Sequence, residues 1–78
     1  MRREAVMEYV SAQPFRAFRI RLNSGRTYEI RHPEMIRVAR DYALVFEGAT
    51  PEGEIEGYKT ISLLLIEEIV HVETQPAA

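Results

Sequence analysis

The chain has 78 residues, 46% of them apolar, no cysteine and a formal net charge of −2. That length holds one small domain with a modest core, and the missing cysteine excludes disulfide frameworks, thiolate zinc sites and cysteine nucleophiles. The negative balance argues against a generic nucleic-acid binder, and no apolar run approaches the roughly 20 residues that span a bilayer. Met1-Arg2-Arg3-Glu4 is followed by no apolar segment, so no secretion signal is expected and the expected location is the cytoplasm. Charge is unevenly placed: residues 1–40 carry nine arginines against four glutamates, whereas residues 41–78 carry Lys59 against Asp41 and seven glutamates. Pairing of the two halves across one sheet or between subunits is one reading, a basic binding face the other.

In chain order, Glu4-Ala5-Val6-Met7-Glu8-Tyr9-Val10 predicts a short amphipathic helix with Val6, Tyr9, Val10 and Gln13 on one face, ended by Pro14. From Phe18 the period changes to two: Phe18, Ile20 and Leu22 alternate with Arg19 and Arg21, a half-buried strand. Asn23-Ser24-Gly25 suits a three-residue hairpin loop with a left-handed glycine last, and Arg26 to Arg31 form the returning strand. The expected register sets Phe18 against Ile30 and Ile20 against Tyr28 inside, with Arg19 against Glu29 outside.

His32-Pro33-Glu34 interrupts pairing, since proline cannot donate to a ladder. An extended pattern resumes at Met35 to Val38, Arg40-Asp41 forms a turn, and Tyr42 to Phe46 a β-rich strand. Residues 48–57, GATPEGEIEG, read as a mobile acidic loop. Tyr58 to Leu65 and Ile66 to Glu73 supply two more strands, or one strand bent at a short connection, with Val70 and Val72 pointing inward and His71 outward beside Glu73. The apolar surplus here, Leu64 or Ile69, is expected outside the core, where exposed clusters mark interfaces.

The expected fold is therefore mainly β, a small α+β unit: an N-terminal helix followed by about five antiparallel strands in an SH3/Sm-like barrel, closure removing exposed edges. The alternative is an open antiparallel meander with the helix packed on one face. Residues 1–74 form the domain and 75–78 a disordered tail.

The element order, with Leu22-Asn23-Ser24-Gly25, Asp41-Tyr42-Ala43-Leu44-Val45 and a closing Tyr58-Lys59 … Leu65-Ile66-Glu67-Glu68-Ile69-Val70, resembles the Sm-like barrel family, whose members include bacterial RNA chaperones and usually form rings that bind uridine-rich RNA. Gly25 matches the glycine of the first turn and Asp41 the acidic residue of the D-x-aromatic signature. Glu29-Ile30 stands where the family has a second glycine, the spacing from Gly25 to Asp41 is longer, and Thr60 or Leu64 replaces the RNA-pocket histidine. RNA binding therefore does not carry over. A second resemblance, through Pro14-Phe15-Arg16-Ala17-Phe18-Arg19-Ile20, Gly25-Arg26-Thr27-Tyr28-Glu29-Ile30 and His32-Pro33-Glu34, is to a group of small bacterial proteins, and it brings no activity with it.

His32 beside Glu34 invites a metal or general-base reading, but a catalytic metal needs about three converging ligands. Restriction by Pro33 suits a strand end, so the pair reads as a turn. No G-x-S-x-G, phosphate loop or nucleotide-binding glycine pattern occurs. No catalytic residue, cofactor or metal is expected, and no small-molecule substrate. Arg19, Arg21 and Arg31, with Arg16 nearby, form a possible binding face for phosphates or a partner's carboxylates, although no aromatic alternates with them. The expected role is a non-enzymatic binding or self-assembly module, a homo-oligomer or protein-interaction barrel, with Sm-like nucleic-acid binding as the alternative and His32–Glu34 catalysis as the third.

Overall fold

The structure, a computed structural model, describes residues 1–49 and 55–72. Its elements are α1 (Arg3–Val10), β1 (Phe18–Leu22), β2 (Thr27–Ile30), a 3₁₀ turn (Pro33–Met35), β3 (Ile36–Val38), β4 (Tyr42–Ala49), β5 (Ile55–Ser62), a second 3₁₀ turn (Leu63–Leu65) and β6 (Ile66–His71). The six strands form two antiparallel three-stranded sheets, ordered β2-β1-β6 (sheet A) and β3-β4-β5 (sheet B). Among the described residues these sheets do not join into a closed barrel.

The first hairpin has the expected register, with Phe18 opposite Ile30, Arg19 opposite Glu29 and Ile20 opposite Tyr28. The Leu22 amide donates to the Arg26 carbonyl at 2.8 Å, and Gly25 has a φ of 94°, the left-handed conformation that glycine adopts without a Cβ penalty. Phe18, Ile20, Leu22 and Ile30 are buried, as alternation requires.

The expected break in pairing falls between β2 and β3, at His32-Pro33-Glu34. The His32 backbone is extended, as the following proline demands, and Pro33 then opens a 3₁₀ turn in which the Met35 amide donates to the His32 carbonyl. Met35 belongs to that turn, and β3 begins at Ile36. Strands β4 and β5 extend into the stretch expected as an acidic loop, where Ala49 pairs with Ile55 and Glu47 with Gly57. Residues 50–54 and the expected tail, 75–78, lie outside the described residues.

Sheet A closes with a β-bulge. Arg21 pairs with Glu68 and Leu22 with Ile66, leaving Glu67 without a partner opposite. One extra residue on a strand of period two reverses every side chain after it. Both Glu67 and Glu68 are consequently exposed, Ile69 is buried opposite Ile20, Val70 lies outward at 40% exposure, and His71 comes opposite the buried Phe18. The expected order is thus corrected: Val70 is outside, Ile69 and His71 are inside. Leu64 does lie outside, 85% exposed in the second 3₁₀ turn, where the Ser62 hydroxyl accepts from its amide.

The core lies between the sheets. Sheet A contributes Phe18, Ile20, Leu22, Ile30, Ile66 and Ile69; sheet B contributes Ile36, Ala43, Val45 and Ile61, joined by Leu63 from the second 3₁₀ turn. Fully burying one such large side chain contributes about 1.5–3 kcal/mol. Helix α1 adds Val6, fully buried, with Tyr9 and Val10 packed against the cluster. The Tyr9 ring lies 5.5 Å from Phe18 and 5.1 Å from His71, and its hydroxyl donates to the Ile69 carbonyl at 3.4 Å. The helix ends at Ser11, whose hydroxyl donates to the Met7 carbonyl, three residues before Pro14; Gln13 lies beyond it and is exposed.

Candidate functional site

The expected arginine face is the outer face of sheet A, and there the guanidinium groups already have partners. Arg19 donates to Glu29 at 2.9 Å and Arg31 donates to the other oxygen of Glu29 at 2.8 Å. Arg21 reaches Glu67 at 3.1 Å and Glu68 at 3.4 Å, a double pairing created by the bulge. The Arg19 hydrogen bond, reinforced by the charge of Arg31, holds the Glu29 carboxyl below its ordinary pKa, and Glu67 followed by Glu68 raises that of Arg21. Three arginines thus meet three glutamates, and the patch has no surplus charge to offer a polyanion. Arg16 lies ahead of β1, exposed and without an ion pair among the described residues.

His32 and Glu34 are both exposed, at and inside the first 3₁₀ turn. His71 lines a small depression with Glu8, Tyr9 and Ala12, and its Nδ1 is buried without a hydrogen-bond partner. Among the described residues, no three histidine, aspartate or glutamate side chains converge to hold a metal ion. No described helix is long and apolar enough to cross a membrane.

The outer face of sheet B has the opposite character. In β4, Ala43 and Val45 point into the core, which turns Tyr42, Leu44 and Phe46 outward. The register places Tyr58 of β5 beside Phe46, Thr60 beside Leu44, and Arg37 of β3 on the other flank of Leu44. Tyr58 is 61% exposed and Tyr42 43%, while Leu44 and Phe46 are half-buried; none of the four is among the hydrophobics packed against the core. The Phe46 and Tyr58 rings are tilted against each other at a centroid distance of 6.3 Å. Arg37 donates to the carbonyl of Ile36 and pairs with no carboxylate among the described residues.

These residues were not anticipated as a surface, yet a signal for them exists. Tyr42-Ala43-Leu44-Val45-Phe46 is apolar at both parities, and a strand apolar on both sides needs cover on both sides. The core covers one. No protein-family model, curated protein or solved structure matches the chain, so the candidate site rests on this geometry alone.

Proposed function

We propose that the chain is a non-enzymatic binding or self-assembly module, a protein-interaction unit of SH3/Sm-like barrel type that acts through the outer face of sheet B. The observation that carries this reading is the outward row Tyr42, Leu44 and Phe46 with Tyr58 beside it, half-buried or exposed and outside the core cluster. Contiguous apolar patches on small proteins mark contact sites, and tyrosine, phenylalanine and arginine are the residues enriched at the centres of protein interfaces. Support for the barrel type comes from the strand order and from the short link between β2 and β3, where a single 3₁₀ turn carries the chain from sheet A to sheet B.

The alternative, an Sm-like nucleic-acid binder, draws on the same face, since aromatic rings beside Arg37 offer stacking platforms. It is disfavoured because Arg37 is the single cation there among the described residues and the arginines of sheet A are paired. Titrating labelled uridine-rich RNA at low and moderate salt tests the choice. The expected result is no binding at either. Binding that strengthens as salt falls would transfer the function to phosphate recognition.

A further inference from the structure

We infer that the occupant of the sheet B face is a second copy of the same chain, docked face to face about a two-fold axis parallel to β4. The inference rests on the reading of that face as a protein-interaction surface and names its partner.

The face is chemically self-complementary in one orientation. Arg37, Leu44 and Thr60 lie side by side at one level across β3, β4 and β5, with Phe46 and Tyr58 paired at the next level. A two-fold axis running along β4 between two stacked faces carries the β3 flank of one copy over the β5 flank of the other. Arg37 then meets Thr60 and Tyr58 of the second copy, a hydroxyl that can accept and a ring that attracts a cation. Leu44 meets Leu44 at the centre. An axis perpendicular to the strands that also brings Leu44 onto Leu44 would instead set Arg37 over Arg37, and like charges in a drying interface repel. The geometry therefore selects one isologous arrangement, in which the same patch serves both sides and the strands of the two sheets run nearly aligned, as in a β-sandwich.

An unrelated acidic partner would satisfy Arg37 but leave four apolar side chains without a defined counterpart. A single strand of nucleic acid would find only one cation among the described residues of this face. The second copy accounts for the apolar row and the lone charge together. Three aromatic rings and one leucine form a patch smaller than the roughly 800 Å² per partner of a stable interface, so the dimer is weak and dependent on concentration.

Sedimentation equilibrium over a concentration series tests this, with the weight-average mass expected to rise from 9.0 kDa toward twice that value. Leu44→Glu, which buries two like charges against each other, should hold the mass at the monomer, whereas Thr27→Glu on the outer face of sheet A should leave the rise unchanged. Concentration-dependent amide shifts of the wild-type protein, which need no variant to fold, should centre on Arg37, Leu44 and Thr60. A mass that stays at the monomer value throughout overturns the assignment. So does self-association whose shifts fall on sheet A or on the 3₁₀ turns. Neither result changes the outcome of the RNA titration, which tests the underlying reading separately.

Discussion

Glu29 accepts from two guanidinium groups, one from its partner strand and one from Arg31, just past the end of its own. Because its folded pKa lies below the ordinary value of 4.5, the pairing contributes stability above that value and loses it as pH falls through the depressed one. Arg19→Ala removes the largest cause, so the Glu29 carboxyl should titrate closer to 4.5 when followed by carbon NMR; an unchanged titration curve would contradict the assignment. Gly25 offers a second check at this scale. No atom lies within 4 Å of where its Cβ would sit, so a substitution is opposed by backbone conformation alone. Gly25→Ala should lower the free energy of unfolding in urea by about 1 kcal/mol, and Gly25→Asn by less, since asparagine tolerates the left-handed region. Equal losses for both would show that the turn adopts another conformation.

At the scale of the element, β1 and β2 were legible because two independent patterns, apolar inside and charged outside, agreed on one register. Strand β6 was misread from the same kind of pattern. Ile66-Glu67-Glu68-Ile69 is compatible with a regular strand that turns Val70 inward and with a bulged strand that turns Ile69 and His71 inward, and only the partner strand decides between them. The bulge also supplies Arg21 with its second carboxylate. Deleting Glu67 should restore simple alternation while keeping Ile66, Ile69 and His71 inside, so the protein should still fold, with Arg21 left facing Glu68. Deleting Val70 should fail, because Ile69 stays inside while His71 turns away from Tyr9. Circular dichroism melts of the two deletions make the comparison, and equal disruption by both would argue against the bulge. The break at His32 was legible as punctuation, since proline has no amide to donate. That it formed a 3₁₀ turn, taking Met35 with it, depends on packing that local pattern does not carry.

For the whole molecule, the two sheets bury one core between them and expose two faces of contrasting chemistry. The sheet A face is ionic and internally neutralised, which explains why a run of arginines visible in the sequence does not amount to a basic surface. The sheet B face is aromatic and aliphatic around one arginine. It escaped notice because Tyr42 to Phe46 was read only as a β-rich strand, without asking what covers its second side. The two halves of opposite charge meet only in part: Arg21 reaches Glu67 and Glu68 across β1 and β6, while Arg19 and Arg31 find Glu29 within the basic half.

Hydroxyl-radical footprinting of the four tyrosines examines both the orientation of sheet B and its use as a contact surface. In dilute protein, Tyr58 and Tyr42 should be oxidised faster than Tyr9 and Tyr28, which pack against the core. As concentration rises, Tyr58 and Tyr42 should become protected while the other two stay unchanged. Oxidation of Tyr9 and Tyr28 as rapid as that of Tyr58, or Tyr58 rates that do not vary with concentration, would contradict an open aromatic face awaiting a partner.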